Sequence, residues 1–132
     1  MKKSIKYFCL IVMILIFRQG FSQQTTLQSF KAEIVGVWQS DEDAKYIIEF
    51  TDNGNRIDKY LGYSDTEYTY ELTTGCDFEV VDGEDVKDIF LKTYENGSDS
   101  TCDIINNIST NNTLTTLSIT GSNGKLYLFT KQ

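Results

Sequence analysis

"EIVGVWQS", residues 33–40, holds the only tryptophan of the chain, Trp38, two residues after Gly36. Side chains alternate across a strand, so Gly36 and Trp38 share one face, and the glycine leaves space beside the indole. A tryptophan held this way at the start of a compact domain is expected to be a structural plug that closes one end of a core, rather than a ligand contact.

The stretches that follow read as strands. "KYIIEFT" (45–51) sets Tyr46, Ile48 and Phe50 on one face, and the turn "DNGN" leads into "RIDKYLG" (56–62), the strongest hairpin signal in the chain. In "EYTYELT" (67–73), Tyr68, Tyr70 and Leu72 alternate with Glu67, Thr69 and Glu71, the pattern of a strand with one buried and one wet face. "CDFEVV" repeats it with Cys76, Phe78 and Val80. "KDIFLKTYE" is less decided, since Ile89 and Leu91 oppose Phe90 and Tyr94. A polar loop "NGSDS" is expected next, then strands in "CDIINNI" and "TLTTLSIT", the turn "GSNGK" and a last strand in "LYLFT". This makes eight or nine short strands, with room for one helical turn in "TLQSFKAEIVG" before the first. Immunoglobulin-type sandwiches set the core tryptophan between two bridged cysteines, whereas Trp38 precedes both Cys76 and Cys102. The expected fold is therefore all-β, a single small antiparallel up-and-down barrel.

Gly36 and Trp38 in the first strand, the hairpin "YIIEFTDNGN" and the tail "IINNISTNNTLTTLSITGSNGKLYLFTKQ" together resemble the small bacterial lipocalin-like domain proteins, barrels of the calycin type with a Gly-x-Trp signature. The resemblance covers most of residues 32–132. It implies an antiparallel barrel that binds a small apolar ligand in its mouth. It also implies that Trp38 sits at the closed end beneath a basic side chain from near the last strand, Lys131, with Lys125 as the alternative. The chain departs from typical lipocalins in its shorter length and in lacking a Thr-Asp-Tyr loop motif, of which "SDTEY" is a misplaced echo. Fatty-acid-binding proteins share the opening, but their helical pair has no room between Trp38 and Tyr46.

Strands of about seven residues, rising roughly 3.3 Å each and tilted by about 40°, build a barrel only about 18 Å tall. The inward candidates Tyr46, Phe50, Tyr68, Tyr70 and Phe78 either line a ligand pocket or fill the interior as core.

Before the barrel lies a different kind of segment. Lys2, Lys3 and Lys6 precede the apolar run "YFCLIVMILIF", and Gly20 and Ser22 follow it, the pattern of a cleaved secretory signal over residues 1–22. The run is too short for the roughly 20 residues of a membrane-spanning helix, so no stable membrane insertion is expected after cleavage. Residues 23–31 form a short N-terminal segment ahead of a barrel domain at 32–132, and the exported product is secreted or periplasmic. Cleavage removes four of the 12 basic residues and none of the 19 acidic ones, so the net charge deepens from −7 to −11 (8 − 19). Such a surface repels phosphate backbones, and nucleic acid is not an expected partner. Losing Cys9 leaves Cys76 and Cys102 as an even pair, expected to form a disulfide in an oxidising compartment.

Catalysis is argued against by residue types. The chain has no histidine, which removes Ser-His-Asp and Cys-His nucleophile systems and histidine zinc sites. The acidic groups Asp41, Glu42 and Asp43, and Asp82, Glu84 and Asp85, sit in expected turns without the apolar setting that raises a carboxyl pKa, and neither follows the calcium-loop pattern. No glycine-rich nucleotide loop is present. No metal, no cofactor and no enzymatic activity are expected. Two functions survive: a carrier of a small hydrophobic molecule in the barrel mouth, or an interaction or inhibitor module whose loops "GYSDTE", "DGED" and "NGSDS" contact another exported protein.

Overall fold

The computed structural model describes residues 27–76 and 88–132. Within them the chain forms a closed eight-stranded barrel, about 60% strand, in which each strand pairs antiparallel with its sequence neighbours and the last closes on the first. The strands are β1 Gly36–Ser40, β2 Tyr46–Phe50, β3 Asn55–Tyr60, β4 Thr66–Thr73, β5 Ile89–Glu95, β6 Ser98–Asn111, β7 Leu114–Thr120 and β8 Leu126–Lys131. A short helix, residues 27–33, precedes β1.

Alternation decides what faces inward. On β2, Ile48 and Phe50 are buried; on β4, Leu72 is buried beneath Tyr68 and Tyr70. The undecided stretch in β5 turns Ile89, Leu91 and Thr93 into the interior and leaves Phe90, Lys92 and Tyr94 only partly covered. A single contiguous core joins these to Ile105 and Ile108 of β6, Leu117 and Ile119 of β7 and Phe129 of β8. Closure gives each strand a hydrogen-bonded neighbour on both sides and leaves no free sheet edge among the described strands.

Two expectations change. The polar loop expected at "NGSDS" is a two-residue turn: Asn96 and Gly97 take positive φ of 52° and 81°, the hairpin geometry that matches strand twist, and β6 begins at Ser98. β6 also runs further than "CDIINNI", to 14 residues, because a register shift between Ile105 and Asn107 bends it around the barrel instead of ending it. The strand expected in "CDFEVV", with Phe78, and the acidic turn Asp82 to Asp85 lie outside the described residues, as does the signal at 1–22.

Cys76, just beyond β4, is bonded to Cys102 on β6, with their Cα atoms 6.4 Å apart. The 26-residue separation corresponds to about 3–4 kcal/mol in the chain-entropy account of cross-links. Cys102 lies between Thr101 and Asp103, which line the cavity, so the bridge ties Cys76 to the opposite face of β6. Among the described residues no helix is long and apolar enough to cross a membrane.

Candidate functional site

The two ends of the barrel are built differently. At the end where β1 starts and β8 stops, Trp38 is fully buried and its Nε1 donates to the Ile34 carbonyl at 2.7 Å. Lys131, paired with Trp38 across β1 and β8, carries its Nζ 5.0 Å from the indole and donates to the Glu33 carbonyl at 2.8 Å. That carbonyl belongs to the last turn of the helix, where a cation is favoured. Gly36 makes the arrangement possible: its φ is +138°, and a Cβ there would stand 2.6 Å from Lys131 Cε. Leu27 and Phe30 of the helix pack against the core and complete the seal. Lys125, the other basic candidate, is at the opposite end, over the Tyr127 ring at 5.1 Å and paired with Glu42 at 2.8 Å.

The opposite end holds a cavity of about 270 Å³. Its walls are Tyr46 and Ile48 of β2, Arg56 of β3, Thr101 and Asp103 of β6, Ile119 of β7, and Tyr127 and Phe129 of β8; the 121–123 turn forms its rim. A larger groove of about 580 Å³ lies between the helix, the 52–54 turn and β4. The smaller cavity is the candidate site, because half-buried charges converge on it.

Arg56 is the centre of that convergence. Its side chain is only 12% exposed, and it grips Asp58 with both ends of its fork, Nε to Oδ1 at 2.6 Å and Nη2 to Oδ2 at 2.8 Å. Nη2 also reaches the Tyr46 hydroxyl at 3.3 Å, and Nη1 donates to Thr93 Oγ1 at 3.2 Å, which gives the buried Thr93 hydroxyl its partner. Tyr46 in turn donates to Asp58 Oδ2 at 2.7 Å. Burial pulls the Arg56 pKa down, but the bond and charge of Asp58 outweigh it and hold the guanidinium above its ordinary value. Burial and the neighbouring Asp58 charge push Tyr46 up, so the phenol keeps its proton.

Asp103 stands apart from this closed network. Burial raises its pKa, against the Ser122 backbone N–H that donates to Oδ1 at 3.0 Å, the Arg56 charge and a bond from Thr101. A carboxyl group whose charged form is disfavoured, standing on a cavity wall, makes Asp103 a candidate for the site.

The residues expected as ligand contacts separate in space. Tyr46 lines the mouth. Phe50 is buried beneath it, and its ring and that of Tyr68 flank the Arg56 guanidinium at 6.0 and 5.8 Å. Tyr70 points to the other end, donating to the Thr51 carbonyl at 2.8 Å and bordering the larger groove. Phe78 lies outside the described residues. Reading strands for aromatic faces missed Arg56, Asp58 and Asp103; the available signal was the two-residue spacing of Arg56 and Asp58, which puts opposite charges on one strand face. The acids at 41–43 work locally: Asp41 accepts from Thr130, Glu42 pairs Lys125, and Asp43 accepts from the Lys45 backbone and Tyr60. Among the described residues no three metal-binding side chains come together.

Set against models of protein families, against curated proteins and against solved structures, the chain matches none of them.

Proposed function

We propose that this chain is an exported, lipocalin-like binding barrel that holds a small molecule in its mouth and performs no chemistry on it. The observation that carries this reading is the 270 Å³ cavity at the open end, where the half-buried Arg56, Tyr46 and Asp103 meet the rings of Tyr127 and Phe129. Ligand cavities commonly span about 300–1,000 Å³ and combine apolar walls with a few placed polar groups. At about 270 Å³ this one falls just below that range, so the ligand is small. The polar groups also shift the expected ligand from wholly apolar to one with an apolar body and a polar head. Support for the lipocalin-like assignment comes from the eight-stranded meander together with Gly36, Trp38 and Lys131 at the closed end. The Cys76–Cys102 bridge supports export, since disulfides persist in oxidising compartments.

Native mass spectrometry of the protein purified from its source tests the reading. A bound small molecule is expected, lost in Ser122→Trp, which fills the mouth from its rim. Recovery of the bare chain, with the same spectrum for the filled variant, overturns it.

A second reading rests on the 61–65 turn beside the same mouth, where Leu61 and Tyr63 are 74% and 75% exposed. Bare apolar side chains at a loop tip suit contact with an exported protein partner. Co-purification of one protein, abolished in Leu61→Ser/Tyr63→Ser, is the expected result; unchanged co-purification removes this reading.

A further inference from the structure

We propose that the mouth of the barrel selects a small organic cation, an ammonium group on an aromatic or short apolar body, with Asp103 as its counter-charge. This rests on the reading of the mouth as a ligand site and names the chemistry of what enters.

Two ionisable side chains line the cavity, Arg56 and Asp103, and they invite opposite ligands. Arg56 is already engaged. Both carboxylate oxygens of Asp58 accept from it, and Tyr46 and Thr93 take further N–H groups, so its charge is neutralised within the wall. Among the described residues no cation contacts Asp103 in this way: its hydrogen-bond partners are the Ser122 backbone N–H and the Thr101 hydroxyl, both neutral donors. The Arg56 charge favours the Asp103 carboxylate more than Asp58 opposes it, yet one cation beside two carboxylates still leaves a net negative charge at the cavity. Burial makes that charge costly when the mouth is empty. A ligand ammonium removes the cost, whereas a carboxylate ligand adds to it.

The rest of the wall has the same preference. Three rings, Tyr46, Tyr127 and Phe129, face the cavity, and aromatic faces attract cations. The Tyr127 ring already holds one at the rim, the Lys125 ammonium 5.1 Å from its centroid. The net charge of −7 draws cations toward the chain and slows the approach of anions.

Three probes of one skeleton decide the matter: phenethylammonium, phenylacetate and 2-phenylethanol, titrated into the purified protein while the backbone amides of Asp103, Ser122 and Tyr127 are followed by NMR. Phenethylammonium is expected to bind at least tenfold more tightly than either of the others, and Asp103→Asn to lose at least tenfold of that affinity with its fold intact. Tightest binding by phenylacetate would make Arg56 the hook, and equal binding by the alcohol would leave a site blind to charge. Either outcome overturns the cation while the mouth remains a ligand site. No amide response to any of the three overturns the cation also, and native mass spectrometry then tells whether the mouth reading falls with it. The comparison of the three probes stands on the unaltered protein, so it decides even if Asp103→Asn fails to fold.

Discussion

The closed end and the mouth of this barrel use the same kinds of residue for opposite purposes. At the closed end a lysine, a tryptophan and a glycine interlock, and the indole N–H and the ammonium each find a carbonyl within the last helical turn and the residue after it. At the mouth an arginine, two aspartates and a tyrosine are half-buried beside a cavity of about 270 Å³. A close-packed plug is explained by the stability it provides. Half-buried charges next to open space are not, since an ion pair drawn out of water contributes little to stability compared with apolar packing of the same size. The contrast separates what closes the fold from what the fold presents.

The sharpest way to break it is to truncate the plug. Trp38→Ala is expected to cost about 3–5 kcal/mol, the range for removing a core aromatic, in equilibrium denaturant unfolding. A loss below about 1 kcal/mol would mean that the indole does not hold the closed end. At the mouth, Asp58→Ala leaves Arg56 buried without its partner and is expected to cost about 3–5 kcal/mol as well. The two ends part company in the repair: Arg56→Met/Asp58→Leu should recover most of that stability, because an apolar pair replaces a buried ion pair at little cost. If the double variant stays as unstable as the single one, the ion pair is structural and the contrast fails.

The smallest effect has the most informative sign. Asp103 has its pKa raised in the folded chain by burial, against the Ser122 N–H, Arg56 and Thr101, with Asp58 adding to the rise. Below the ordinary carboxylate value of about 3.9 the group is protonated in both folded and unfolded chains and carries no penalty. As pH rises through the raised folded pKa, the folded chain must hold a charge it disfavours, and stability is lost. Asp103→Asn should therefore be more thermally stable than the unaltered protein at neutral pH, with the advantage shrinking to nothing as pH falls toward that ordinary value. A destabilised Asp103→Asn at neutral pH would show instead that the carboxylate supports the wall.

Much of the closed end was legible in the sequence because its contacts follow from strand alternation and from the closure of β8 on β1. Gly36 and Trp38 share a face by spacing alone, and Lys131 was indicated as their partner by resemblance to lipocalin-like chains; the register pairs Trp38 with Lys131. The hairpin after Phe50 and the inward run of Tyr68, Tyr70 and Leu72 were legible for the same reason: period-two patterns carry their own orientation. The mouth was hidden. "RIDKYLG" reads as a mostly wet strand, and its Arg56 becomes an interior residue only because Tyr46, ten positions earlier, and Thr93, 37 positions later, meet it across the barrel. Tyr70 was read as a mouth residue, but its height along the strand sets it at the other end, and alternation reports face without height.

By itself, then, the sequence determined an all-β chain of short strands, the face each strand buries, and the pair of cysteines free to bridge, all properties of local period and composition. Only the tertiary structure decided that the wall closes at eight strands and that the mouth keeps a cavity, and only it brought Arg56, Asp58 and Asp103 together at that mouth. Closure and cavity depend on register and tilt summed around the whole barrel, and a buried charge finds its partners through that summation rather than along the chain.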